Sequence, residues 1–194
     1  MQGLADDGGL FMPDSWPQVD LDHLKSLKSF IDIAKYIVPM YTDSSFSKDE
    51  VHEVLDNTWH DFEEKDYLKI VDINKSLSVL ELFHGPTAAF KDFGLQLAAA
   101  FFNKTLVDQN KTAIVFGATS GDTGSAAIAA LNDRKNINVF VLHPYNKISN
   151  IQRKIMTTVG SNNIYNIAIR GTFDDCQKHV KEMFSENKFR EKIN

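Results

Sequence analysis

The sequence predicts an α/β protein: a parallel sheet of βα units preceded by a mostly helical amino-terminal region. Two observations carry that expectation. From about residue 76 onward, short apolar runs alternate with helix-like segments without exception; strand–helix alternation is the pattern of crossover connections and a parallel sheet. The strand-like runs are also nearly continuous in apolar character, as expected where helices cover both faces.

Taken in order, residues 3–17 are rich in Gly, Asp and Pro and read as an irregular lead-in. Leu24, Leu27 and Ile31 then recur at helical spacing, as do Val51, Val54, Leu55 and Trp59. Between them lies a polar break from Asp43 to Ser47. Ser47 followed three residues later by Glu50 is a capping-box start. The charged stretch Asp61 to Asp66 is a candidate boundary, and the helical region is assigned to residues 1–75. The βα part, residues 76–194, reads "SVLELFHG" (strand), "GLQLAAAFFNKTL" (helix), "TAIVFGA" (strand), "GSAAIAALN" (helix), "INVFVLHP" (strand), "ISNIQRKIMTTVG" (helix), "NIYNIAIRG" (strand) and "DDCQKHVKEMF" (helix).

Composition narrows the function. The chain has 194 residues, 43% hydrophobic and 24% charged, with a net charge of −5. Without a basic excess there is nothing to attract nucleic acid or an anionic membrane. No apolar run approaches the roughly 20 residues that span a bilayer, and the amino terminus lacks a charged region followed by an apolar block. The single cysteine, Cys176, excludes an intrachain disulfide framework. The expected location is cytoplasmic. His23, His52, His60, His143 and His179 show no metal-ligand spacing, so no metal is expected.

In a parallel sheet, ligands bind at the carboxyl ends of strands, and two turns there carry chemistry. "GATSGDTG", residues 117–124, joins a strand to a helix through small residues. Such a turn lets backbone approach a ligand, and the following helix offers free N–H groups and a positive dipole end, suited to a phosphate or carboxylate. A nucleotide is excluded: no lysine follows Gly124, as a Walker loop requires, and no acid ends the next strand, as a dinucleotide fold requires. A turn that merely packs small residues is the alternative.

The other turn holds Lys91, between Phe90 and Asp92-Phe93 at the start of an apolar helix. The helix dipole disfavours a cation there by about 0.3–1 kcal/mol, and flanking phenylalanines would desolvate it. Both effects favour the neutral amine that a Schiff-base lysine needs. The alternative is a lysine snorkelling to solvent. An amine after one strand and a carboxylate-sized turn after the next together fit an amino-acid Schiff base.

"ELFHGPTAAFKDFG" (residues 81–94) and "GATSGDTGSAA" (residues 117–127) resemble the threonine synthase family, fold-type II enzymes dependent on pyridoxal 5'-phosphate; "GLADDGGLF" and "KISNIQ" are similar to two further stretches of that family. The resemblance implies that Lys91 is the catalytic, cofactor-linked lysine. It implies that Thr119, Ser120, Gly121, Asp122 and Thr123 hold the substrate α-carboxylate, with Asp122 also near the cofactor. The implied reaction turns O-phospho-L-homoserine and water into L-threonine and phosphate. His84, Lys147 and Ser149 are further substrate-binding candidates, each with a surface or packing role as its alternative; Arg153 and Arg170 are weaker ones. Asn150 departs from the family, which carries Pro there.

The family's glycine-rich cradle for the cofactor phosphate is not found after Gly124. The chain is therefore expected to be an amino-terminal fragment, inactive alone, with the remaining cofactor contacts beyond Asn194. Two other functions stay open: another fold-type II lyase (threonine dehydratase-like, or a phospholyase on a related phosphorylated amino acid), and a non-catalytic binding module.

Overall fold

The computed structural model describes residues 9–42, 45–64, 66–186 and 189. Residues 3–8 of the "GLADDGGLF" stretch, residues 43 and 44 of the polar break, and Lys65 lie outside the described residues. The chain divides into two compact units, Met1–His60 and Asp61–Asn194.

The first unit is helical. Helix α1 (Leu21–Ser26) is capped by Asp20, whose carboxylate accepts from the amides of Asp22 and His23. Helix α2 (Phe30–Ile37) is capped by Ser29 and runs into a short 3-10 turn, Val38–Tyr41, where Pro39 fits the first turn. Helix α3 (Lys48–Asp56) begins with the expected capping box of Ser47 and Glu50. Its apolar face buries Val51, Val54 and Leu55; Trp59 is also buried, its ring edge-on to Phe30 with centroids 4.8 Å apart. Fully burying a side chain such as Leu55 contributes about 1.5–3 kcal/mol. Lys35 of α2 closes the unit on Asp56 of α3 at 2.6 Å.

The second unit opens with an antiparallel hairpin of β1 (Lys69–Asn74) and β2 (Leu77–Glu81), with Lys69 opposite Glu81 and Val71 opposite Val79. Helix α4 (Lys91–Asp108), β3 (Ala113–Ala118), α5 (Asp122–Leu131), β4 (Ile137–Pro144), α6 (Asn150–Thr157), β5 (Ile164–Ile169) and α7 (Phe173–Ser185) follow. Strands β3, β4 and β5 form one parallel sheet in sequence order, with Ala113 opposite Ile137 and Val139 opposite Ile164.

One expectation is corrected. "SVLELFHG" is not a strand of the parallel sheet; it pairs with Lys69–Asn74, an upstream strand within the residues assigned to the helical region. The boundary expected at residue 75 falls in the turn of that hairpin, and the compact units part at 60/61, beside the charged stretch. Coverage on both faces holds for the central strand β4, which is buried along most of its length, but β5 is half exposed.

Alternation along β4 builds two faces. Ile137, Val139 and Val141 point into a core with Ala99 and Leu106 of α4, Ile128 and Leu131 of α5, and Met156 of α6. The opposite face carries a ladder of stacked rings, Phe116–Phe140–Tyr165, with centroids 5.0 and 4.7 Å apart; Phe184 of α7 meets Phe116 edge-on. Asn163 pins the amino edge of the sheet, its amide donating to the carbonyls of Leu131 and Ile137.

Helix α4 leads into the start of β3, and α5 leaves its end. The two helices pack side by side, with Leu106 and Leu131 near their carboxyl ends in one core. Both therefore begin toward the carboxyl edge of the sheet, the edge where this class of fold binds ligands.

Candidate active site

Lys91 is the first residue of α4, as the sequence predicts. Its side chain is partly buried, with Nζ 4.5 Å from the centroid of the Phe90 ring. No hydrogen bond or ion pair engages the amine among the described residues. Phe90 itself is 62% exposed, so the ring gives one apolar wall rather than an enclosure.

The neighbour behaves differently. Asp92 is fully buried, and its carboxylate holds the preceding turn: Oδ1 accepts from Thr87 Oγ1 at 2.7 Å, and Oδ2 accepts from the Thr87 amide at 2.9 Å. Two such donors are what make a buried carboxylate tolerable. Gly85 must lack a side chain here, because a Cβ would stand 2.5 Å from Asp92 Oδ2. The turn closes through the Ala88 amide on the Gly85 carbonyl at 3.0 Å, with Ala88 at a φ of 55°.

The second turn is organised by Thr119, which is also buried. Its hydroxyl accepts from the amides of Gly121 at 3.1 Å and Gly124 at 2.8 Å. Gly121 adopts a φ of 152°, and Gly124 presses so close to Thr119 that a Cβ would lie 2.3 Å from Cγ2. Each glycine is therefore required by geometry. Helix α5 starts at Asp122 with no side chain of Gly121 to cap it. Ser120, Asp122 and Thr123 are exposed, leaving three polar side chains around the positive end of a helix, an arrangement suited to a small anion.

Gln152 of α6 joins this turn to the next. Its amide nitrogen donates to Asp122 Oδ1, and its oxygen accepts from Ser149 Oγ at 3.0 Å. Ser149 is the N-cap of α6, accepting from the Gln152 amide at 3.2 Å. Asp122 and Ser149 are thus brought together through a residue the sequence reading did not assign, although it stands in the quoted "KISNIQ".

The remaining candidates lie apart from that link. His84 follows β2 with Nε2 2.8 Å from Glu81 Oε2, and its carbonyl accepts from the Glu63 amide. Lys147 is exposed in the turn after β4; its charge reaches Asp175 at the start of α7, helping to lower that carboxyl after the larger effect of hydrogen bonds from Thr172. Arg153 is exposed on α6, and the guanidinium of Arg170 lies over the Tyr145 ring at 5.8 Å. No hydrogen bond or ion pair among the described residues joins His84 or Lys91 to the Thr119 turn. Cys176 is fully buried, and burial pushes its thiol up, an unreactive setting. Among the described residues there is no cluster of metal-binding side chains, and no helix is long and apolar enough to cross a membrane. Thr87, Asp92 and Gln152 are the parts that sequence reasoning missed. The glycine at residue 85 was the available signal for the first two.

A primary amine with no ion-pair partner, at the start of one helix, and an anion-suited turn at the start of the adjacent helix fit a carbonyl cofactor linked through lysine. Comparison with known proteins agrees. Residues 1–59 match the family "Threonine synthase N terminus", and residues 71–191 match "Pyridoxal-phosphate dependent enzyme". The chain is 39% identical over 97% of its length to threonine synthase of Pseudomonas aeruginosa, covering 41% of that protein. It superposes on the pyridoxal phosphate-bound threonine synthase of Brucella melitensis with a TM-score of 0.92 at 36% identity, covering 98% of this chain and 42% of that one. For the threonine synthase from yeast the TM-score is 0.90 at 39% identity, with 96% and 40% covered. The chain spans about two fifths of the length of the curated relatives it matches. With the family match extending through the sheet, the lysine turn and the Thr119 turn, the chain belongs to the pyridoxal-phosphate dependent enzyme family.

Proposed function

We propose that the protein carrying this chain is a threonine synthase, converting O-phospho-L-homoserine and water to L-threonine and phosphate in the cytoplasm, with pyridoxal phosphate as cofactor. The observation that carries the reading is Lys91: an amine without an ion-pair partner among the described residues, at the start of a helix packed beside the one that leaves the Thr119 turn, in a chain 35–41% identical to threonine synthases along its length.

Lys91 holds the cofactor through its amine. As a free amine, the same nitrogen would move the proton at the substrate Cα. When bound, pyridoxal phosphate supplies an electron sink for the pair left at that carbon. The residues of the Thr119–Thr123 turn bind the α-carboxylate and fix the orientation of the Cα–H bond. Asp122, held by Gln152, is the residue of that turn that would meet the cofactor. Ser149 and Lys147, after β4, and His84, after β2, are assigned to the substrate, with its phosphate as the partner for the lysine. The side chains assigned here all fall within residues 76–194. The helical region does not supply any of the assigned side chains.

The test is product analysis with the protein that carries this chain, given cofactor and O-phospho-L-homoserine. Threonine and phosphate in equal amounts, both lost in Lys91→Ala, are expected. An oxo acid and ammonia would assign a dehydratase instead, and turnover only of a different phosphorylated amino acid would assign a phospholyase. A folded protein that develops no visible absorbance band with the cofactor would be a non-catalytic module.

A further inference from the structure

We infer that Asp92 is a positioning residue for Lys91: its buried carboxylate locks the Gly85–Thr87 turn across the first turn of α4 and so fixes where the amine's stem begins. The inference rests on Lys91 being the cofactor-linked lysine. A lysine amine sits at the end of a four-carbon stem, and its reach is defined only as well as its Cα is held. Here that Cα is the first of a helix whose preceding residue, Phe90, contributes no side-chain capping hydrogen bond. The start of α4 is held instead from one residue further in.

Asp92 takes both hydrogen bonds that Thr87 offers, backbone and hydroxyl, at 2.9 and 2.7 Å. The Asp92 amide meanwhile donates to the Ala89 carbonyl at 3.0 Å. The side chain therefore closes residues 87–92 and the backbone closes residues 89–92, with Lys91 inside both segments. Gly85 lies against the carboxylate, leaving no room for a side chain: a Cβ there would stand 2.5 Å from Asp92 Oδ2. A negative group in the first turn also suits the helix dipole, which a lysine at the first position does not. The arrangement places the two charges in opposite roles: the acid is spent inside the fold, and the amine is left free.

The experiment measures how fast Lys91 in the cofactor-free protein links to added pyridoxal phosphate. It is followed by the rise of the visible band and, independently, by borohydride trapping and mass analysis of the labelled lysine. Asp92→Ala is expected to slow linkage by about tenfold to a hundredfold, the scale of an ångström-level misplacement. Asp92→Asn, whose amide can rotate to accept from the Thr87 N–H and donate to its hydroxyl, is expected to restore most of the rate. Thr87→Val, which removes one of the two bonds, is expected to fall between them and covers the case in which Asp92→Ala does not fold.

Ile128→Ala, a core change remote from the turn, is the control for lost stability and is expected to link at the parent rate. Parent-like linkage in both Asp92→Ala and Thr87→Val would overturn the inference, as would equal slowing in Ile128→Ala. Trapping of cofactor on another lysine, with the band surviving Lys91→Ala, would overturn the functional reading itself. Loss of the band in Lys91→Ala with unaffected Asp92 variants would sink only the positioning role.

Discussion

The same small device is built twice, at the starts of α4 and α7, with opposite burial. In each, a threonine gives its backbone amide and its hydroxyl to an aspartate in the first turn of the helix. Thr87 gives them to the two oxygens of Asp92, whereas Thr172 gives both to Oδ2 of Asp175, at 2.7 and 2.8 Å. In each, a glycine stands against the carboxylate, with the position of a missing Cβ 2.5 Å from Asp92 Oδ2 at residue 85 and 2.7 Å from Asp175 Oδ2 at residue 171. Asp92 is fully buried and Asp175 is exposed. The difference teaches what burial adds to one hydrogen-bonding pattern. At α7 it is an ordinary capping box on the protein surface, while at α4 it is buried, one residue after Lys91.

The glycines separate the two cases most strongly. Gly85→Ala drives a methyl into a buried carboxylate that cannot swing away, and a loss of about 2–3 kcal/mol is expected, in the range of overpacked cores. Gly171→Ala meets an exposed aspartate free to rotate outward, so a loss near 0.5 kcal/mol or less is expected. Urea denaturation midpoints of the two variants measure this directly. Equal losses would mean that Asp92 is no better fixed than Asp175.

A third threonine gives the next largest effect. Thr119 collects the amides of Gly121 and Gly124 on one hydroxyl, which itself donates to the Gly121 carbonyl at 3.3 Å. Thr119→Val leaves both amides without that partner and is expected to cost about 1–3 kcal/mol, whereas Thr119→Ser keeps the hydroxyl and is expected to cost less. Thermal or urea unfolding ranks the pair. A serine variant as unstable as the valine would show that the methyl, not the hydroxyl, organises this turn.

How much of this was legible in the sequence depends on whether the deciding contact was local. The Ser47–Glu50 capping box is written within four residues and was read correctly. The β3, β4 and β5 runs were legible because their apolar character matches a covered parallel sheet. "SVLELFHG" looked equally apolar, yet its pairing is decided by the upstream Lys69–Asn74, where exposed Lys69 and Asp72 hid a strand. The exposed Leu77, Val79 and Leu80 of β2 show that apolar residues alone do not assign a strand to the main sheet.

The lysine turn was legible as a conflict between charge and helix dipole. Its support was not, because an aspartate beside a lysine reads as a solvated neighbour, and only the approach of Gly85 reveals its burial. Gln152 was hidden for the same reason: its link to Asp122 spans two βα units and leaves no local pattern.

The smallest effect expected is electrostatic and belongs to the exposed member of the pair. The Thr172 amide, then the Thr172 hydroxyl, stabilise the charged form of Asp175 and hold its carboxyl below the ordinary aspartate value, with His179 and Lys147 adding to the shift. A carboxyl whose value is lower in the folded state than in the unfolded chain binds protons later on folding. Its stabilising contribution is therefore complete above the unfolded value of about 3.9 and is lost as pH falls through the lower, folded value. Asp175→Asn should accordingly be less stable than the parent at pH 7, and the gap should close progressively below about pH 4. Thr172→Ala should shrink the same gap at neutral pH by removing the hydroxyl while leaving the amide, the larger contributor, in place. A difference between Asp175→Asn and parent that stays constant down to pH 2 would place the effect in lost packing rather than charge, and would remove the likeness between the two aspartate clamps.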